Sequence, residues 1–333
     1  MRKSVSLAVI LVAGLGLSAC ASEAALPKPV IDRSVETIVD EAKFADLLTS
    51  VKKSVEAADS ANTVKELGAN VAGPIRTQRE AQYKLKSILG DSYKLPSIVI
   101  DPEATLIASG TAYPRTVATI AAPTGDQNFQ TLNVWNQASV RENYKLWGQA
   151  YLFPGLDLPA LKSNLDDTAG YPEVDVAKYA ADPAALLENY AQYLNGAEAK
   201  VKFAEDDAIL TQITAQKDRL TKAVADLATV SIKSAASKNG FKVIPTEDNG
   251  LIVVGEVDYQ LSVDRQDEEA TLRLRGEIGA LGTGKADGVL DVKKKLTAKY
   301  SLLTAFYVPA AGSDAQVQVI GAASPTLLSV TNE

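Results

Sequence analysis

Apolar residues recur at helical spacing early in the chain and at a spacing of two after about residue 95, and this change of period happens twice. Val35, Ile38, Val39, Ala42, Leu48, Val51 and Val55 form one stripe of a helix that Ser34 can cap, with Glu36 in its first turn. A second, short helix is expected from Ser60. A third is expected from Pro74 at its first position, through Leu85 and Ile88, to Gly90 as its stop. From Leu95 the alternation is strand-like, with breaks at Asp101-Pro102, Tyr113-Pro114 and Pro123-Thr124-Gly125. Residues 129–137 and 145–153 predict a hairpin. Leu132 and Val134 share one face of its first strand, and Asn133, Trp135 and Gln137 the other. On the second strand Leu146, Gly148, Ala150 and Leu152 oppose Trp147, Gln149, Tyr151 and Phe153.

Breakers cluster at 154–173, among them Pro154-Gly155, Pro159, Gly170 and Tyr171-Pro172, and mark a boundary. Helical patterning returns over Val176 to Leu194, with Asp182-Pro183 as cap and first turn and Asn195-Gly196 as stop. A longer helix is expected over 206–231, with Leu210, Ile213, Leu220, Val224 and Leu227 in phase. Strands follow at 251–263, 269–277, 290–308 and 315–323. In the first of these, Val253, Val257, Tyr259, Leu261 and Val263 face one way and Glu256, Asp258, Gln260 and Ser262 the other. The expectation is an α+β chain of two tandem domains, 33–155 and 176–333, joined by a linker at 156–175. Each domain places helices before a curved antiparallel sheet. A chain of 333 residues is also longer than one hydrophobic core usually serves.

The first twenty residues add an address. Arg2 and Lys3 precede an apolar run from Leu7 to Leu17, and Leu17-Ser18-Ala19-Cys20 follows. This is the form of a cleaved secretory signal ending in a lipobox, too short to span a bilayer that needs roughly 20 apolar residues. Residues 1–19 read as the signal peptide, Cys20 as the lipidated first residue of the mature chain, and 20–32 as a tether stiffened by Pro27 and Pro29. Two acyl chains on Cys20 would hold the protein stably on the outer face of the cell membrane.

Composition narrows the chemistry. The chain has no histidine, and Cys20 is its only cysteine. Ser-His-Asp and Cys-His catalysis, imidazole-ligated metals and disulfides therefore drop out of the expectation for the mature body. Without residues 1–19 the chain carries 32 Lys+Arg against 41 Asp+Glu, a net charge of −9, which speaks against nucleic acid as partner. No cofactor or metal is expected.

Four features invite chemistry and have plainer readings. Gly279-Ala-Leu-Gly-Thr-Gly284-Lys285 has the phosphate-loop spacing, but Ala286 stands where Ser or Thr would meet magnesium, so a glycine-rich hairpin loop is expected. Ser50-Val51-Lys52-Lys53 has the Ser-x-x-Lys spacing on an amphipathic helix and reads as a solvated face. Acidic groups at Asp166-Asp167, Glu205-Asp206-Asp207 and Asp264 to Glu269 sit at expected loops and helix starts, where carboxylates complement the helix dipole. Lys293-Lys294-Lys295 with Lys299 reads as a strand flank that discourages edge pairing. The constellation with most to offer a ligand is the amide and aromatic face of the hairpin: Asn133, Trp135, Gln137, Trp147, Gln149 and Tyr151, with Arg115 nearby. Rings supply apolar area and amides supply donors and acceptors for a glycan or peptide. The alternative is that these rings fill a core or cover an interface.

The order helix, helix, curled sheet is similar to the cone-shaped folds of the nuclear-transport-factor-2 superfamily. Ala57-Ala58-Asp59 with Gly73-Pro74, Tyr113-Pro114-Arg115, Gln137, Tyr144-Lys145-Leu146-Trp147, Tyr190-Ala191 to Asn195-Gly196 and Lys202-Phe203-Ala204 carry a second likeness. On these the chain resembles a family of actinobacterial lipoproteins defined by a domain of unknown function. That resemblance implies location and architecture, and no catalytic residue. The functional expectation is a membrane-anchored, non-enzymatic envelope protein that binds a cell-wall ligand or an envelope protein. A carboxylate-dependent glycan hydrolase and a structural assembly subunit are the alternatives.

Overall fold

The computed structural model describes residues 41–108, 113–123, 129–155, 175–267, 269 and 271–333, with backbone alone at 41 and 103–108. The signal segment, Cys20, the tether, Asp166-Asp167 and nearly all of the expected linker lie outside these residues.

Phe44, Val51, Val55 and Ala58 bury one stripe of α1 (Glu41–Ala61). This helix runs through Ser60, where a second helix was expected to begin. It stops at Asn62, which has φ 56°, and Thr63 then caps a short 3₁₀ turn, Val64–Leu67. The next helix, α2 (Gly73–Leu89), starts with Pro74 in its first turn and is closed by Gly90 at φ 61°, as its sequence signals require.

Four strands follow: β1 (Pro102–Ala108), β2 (Arg115–Ala121), β3 (Thr131–Gln137) and β4 (Lys145–Leu152). The second half opens with α3 (Pro183–Leu194), capped by Asp182, and α4 (Ala208–Val224), capped by Asp207. The carboxylate of Asp207 accepts from the amides of Ile209 (2.8 Å) and Leu210 (3.1 Å) and from the Tyr190 hydroxyl (2.9 Å), so this acidic residue is occupied by structure. Helix α4 ends earlier than its periodicity implied, because Ala228 already begins strand β5 (Ala228–Pro245). Strand β6 (Leu251–Arg265) follows the expected alternation.

The glycine-rich segment corrects an expectation. After the two-residue strand β7 (Arg273–Leu274), residues Gly276–Thr283 form helix α5, which Gly284 closes in the left-handed region at φ 71°. Glycines compatible with a hairpin loop are here compatible with close packing, since a Cβ on Gly279 would lie 2.4 Å from the carbonyl oxygen of Gly288. Strand β8 (Leu290–Asp291) pairs with β7. Strand β9 (Lys295–Val308), β10 (Gln318–Ala322) and β11 (Thr326–Asn332) complete the chain. Lys293 and Lys294 thus lie just before a central strand that Lys295 opens, rather than beside an edge, with Lys295 paired to Asp264 at 3.3 Å.

The long strands form one antiparallel sheet in the order β1-β2-β3-β4-β10-β9-β6-β5. Strands β10 and β11 share one edge of β9, β10 along 304–307 and β11 along 296–301. The junction between the halves is short: Leu152 and Tyr151 of β4 face Gly321 and Ala322 of β10. Strand β5 curls back beside β1 and β2, so the sheet rolls on itself. Its inner face is filled from seven strands, with Ala118, Leu132, Val134, Ala150, Ile320, Leu303, Ala305, Ile252, Val254 and Ile244 packed together. On the outer face α1 and α2 cover Val117, Trp135 and Leu146, while α3 and α4 cover Val253, Val257, Tyr259, Leu261 and Val263. The α+β class and the curved antiparallel sheet match the expectation; the residues expected to form two domains share one sheet and the cluster on its inner face.

Polar ties lock α2 to this sheet. Gln78 donates to Ser301 (2.9 Å), Gln82 donates to Thr326 (3.1 Å), and Ser301 in turn donates to the buried Glu256. The Glu256 carboxylate also accepts from Ser237 (2.6 Å) and Asn239 (2.5 Å), so its charge is compensated by three donors.

Candidate ligand-binding cleft

The amide and aromatic face of the hairpin is built much as its residues imply, and then covered. Asn133 and Gln149 are cross-strand partners, and the Gln149 amide donates to the Asn133 side chain (2.8 Å). Both also donate to the carbonyl of Val99, at 2.8 and 3.1 Å, and the Tyr151 hydroxyl donates to the carbonyl of Ser97 (3.2 Å). The chain between α2 and β1 therefore lies across this face as a strap and takes up the hydrogen bonds that a ligand would have used.

Trp135 is fully buried, donates from its indole nitrogen to Thr119 (3.0 Å), and meets the edge of Phe44 at 5.6 Å between ring centres. Trp147 is elsewhere. The register between β3 and β4 jumps from Val134↔Gly148 to Trp135↔Leu146, which makes Trp147 the extra residue of a β-bulge. The bulge inverts the alternation, so Leu146 joins Trp135 beneath α1 and α2 while Trp147 packs with Leu132 and Val134 on the inner face. Its ring sits against Gly73, and the Lys242 ammonium lies 5.1 Å from the ring centre. Burial holds Lys242 below the usual lysine range. The two tryptophans expected on one face thus lie in different clusters.

Arg115 and Gln137 do reach an opening. They face each other across β2 and β3. Together with Lys43, Phe44, Asp46 and Leu47 of α1, Asn70, and Asn143-Tyr144 of the β3–β4 turn, they line a cleft of about 460 Å³. That volume falls within the range of small-ligand sites. Phe44 and Tyr144 form an apolar wall, edge to face at 6.5 Å, and the polar residues surround it. The Arg115 guanidinium lies 4.5 Å from the ring centre of Tyr113, and the Gln137 amide donates to the carbonyl of Glu142 (2.7 Å). An ion pair of Glu142 with Lys145 (2.5 Å) steadies the same turn and holds the Glu142 carboxyl below its ordinary range. Asn70 donates to Ser50 (3.2 Å) and Ser54 (2.8 Å), so Ser50 of the Ser-x-x-Lys tetrad belongs to a hydrogen-bonded helix face.

Tyr144 is the unusual group. Its side chain is buried, and among the described residues its hydroxyl has no hydrogen-bond partner. Burial pushes its pKa up to about 12, against the opposing charge of Arg115, so the hydroxyl stays protonated across the neutral range and able to donate. No pattern in the sequence marks Tyr144 for this role, nor Phe44, whose place on the buried stripe of α1 is its only trace.

Among the described residues lining the cleft, Asp46 is the single carboxylate. Among the described residues, no three acidic side chains are grouped to hold a metal ion. No protein-family model, curated protein or solved structure matches the chain.

Proposed function

We propose that this chain is a lipid-anchored envelope protein that captures a polar ligand, a cell-wall glycan or peptide fragment, in the cleft between α1 and the β2–β3–β4 hairpins. The anchor rests on the sequence of residues 1–20, with Cys20 as the acylated residue. The hydroxyl of Tyr144, without a partner among the described residues, carries the ligand reading. A buried hydroxyl left without a partner costs roughly 1–3 kcal/mol, and a ligand acceptor that reaches it from the cleft would relieve that cost. Arg115 and Gln137 add hydrogen-bonding groups on facing strands, and Phe44 adds the apolar surface on which a sugar ring or side chain rests. A cleft with one carboxylate suits binding over glycoside hydrolysis, which needs two.

Trp135 packs on Phe44 and so reports on the cleft. In a Trp147→Phe background, titration with cell-wall glycan and stem-peptide fragments should give a saturable change in Trp135 emission. Tyr144→Phe should weaken it about tenfold. Failure of every fragment to shift the emission, or an unchanged affinity in Tyr144→Phe, would remove the cleft from consideration. Labelling with radioactive fatty acid, lost in Cys20→Ala, tests the anchor separately.

A further inference from the structure

A second concavity lies between α4, α5 and β6. Of α4, only Ile209, Ile213 and Val224 are buried; between Ile213 and Val224 the helix is half-buried or exposed, with Leu220 packed partly against the core. The concavity is a groove of about 400 Å³, walled by Leu220 and Ala223 of α4 and Ile278 of α5 and floored by Leu261 of β6. Gln216 and Arg219 form its rim. The Tyr259 hydroxyl donates to the Gln216 side chain (3.4 Å) from a ring stacked on Tyr300, which ties this part of the rim to the sheet. Arg219 is exposed and makes no hydrogen bond or ion pair among the described residues.

We infer that this groove binds a single straight-chain amphiphile with an anionic head, a fatty-acid carboxylate. Apolar walls open to water are unfavourable when empty and match an alkyl chain. From Gln216 to Ala223 the helix rises about 10 Å, the length of a chain segment rather than of a partner helix. The uncommitted guanidinium at the rim supplies the bidentate donor that a carboxylate fits. The groove is independent of the Tyr144 cleft, so either site stands without the other.

Displacement of a fluorescent fatty acid from the purified protein tests this, with dodecanoate and dodecanol as competitors below their micellar concentrations. Dodecanoate should displace the probe saturably and more strongly than dodecanol. Arg219→Glu should weaken dodecanoate about three- to tenfold and leave dodecanol unchanged, as expected for one exposed ion pair. Ala223→Phe, at an exposed position, should fill the groove and abolish both without altering the circular dichroism spectrum. Three results would overturn the assignment: no saturable displacement, equal binding of acid and alcohol in the parent and Arg219→Glu proteins, or a dimer in sedimentation that Ala223→Phe dissociates. The last would give the groove to a second copy of the chain.

Discussion

Tyr144 is placed where stability and binding pull in opposite directions. Its ring packs against Phe44, which favours the fold, while its buried hydroxyl lacks a partner among the described residues, which does not. Phenylalanine keeps the ring and removes the unsatisfied group. Tyr144→Phe should therefore stabilise the ligand-free protein by about 1 kcal/mol, a rise in midpoint of roughly 2 °C, while weakening ligand capture. Thermal unfolding with and without ligand measures both, and a destabilised variant would mean that the hydroxyl is satisfied in solution. Asp258 offers a comparable case on the sheet. Burial first, then the charge of Glu256, pushes its pKa up to about 6 against the pull of Lys299. The folded value lies above the unfolded one, near 3.9, so the fold favours the protonated form. Ionised Asp258 burdens the fold above about pH 6, and the burden is relieved as pH falls toward 4. Asp258→Asn should add about 1 kcal/mol at pH 7, discounted for its partial exposure, and flatten stability between pH 4 and 6. Denaturant midpoints across that range are the measurement; parallel curves for the two proteins would contradict it.

One inserted residue decides the chemistry of the hairpin. Period-two alternation placed Trp135 and Trp147 on one face, and the bulge at Trp147 separates them, because an unpaired residue in one strand reverses the facing of everything beyond it. The ring displaced in this way meets Gly73, at φ +65°, where a Cβ would lie 2.4 Å from Trp147 Cδ1. Gly73→Ala brings both backbone strain and this clash. It should lower stability by about 2–3 kcal/mol and shift Trp147 emission, whereas a loss under 1 kcal/mol would show that the ring moves aside freely. The elements whose local signals agreed were legible beforehand: Pro74 and Gly90 bracket α2, Asp182 and Asn195-Gly196 bracket α3, and Val253 to Val263 alternate along β6. Where glycine-rich sequence permits several conformations, tertiary packing chose, as in α5. The candidate face of the hairpin was half legible. Arg115 and Gln137 stood out as polar residues on neighbouring strands, but the covering strap at Ser97 and Val99 acts through backbone carbonyls, which no side-chain pattern announces.

At the scale of the whole molecule, the two repeats of helices then strands are joined by a sheet, and that changes how the chain should unfold. Tandem domains with separate cores melt as separate units. Here Tyr151-Leu152 of β4 pair with Gly321-Ala322 of β10, and the inner face mixes Leu132 and Val134 from the first half with Leu303, Ile252 and Ile244 from the second. Neither half can lose its strands without uncovering the other's apolar surface, so one cooperative transition is expected for residues 41–333. Both tryptophans belong to the first half, whereas the longest strands, β6 and β9, belong to the second. Tryptophan emission and hydrogen exchange of the β6 and β9 amides should therefore give the same denaturant midpoint. Gly321→Ala is the sharper probe, since a Cβ there would lie 2.5 Å from the Tyr151 carbonyl oxygen, directly at the junction. It should lower both midpoints together. If the emission midpoint fell while the β6 and β9 amides kept theirs, the junction would be a contact between independent bodies, and the repeat of helices and strands in the sequence would be a repeat of folding units after all.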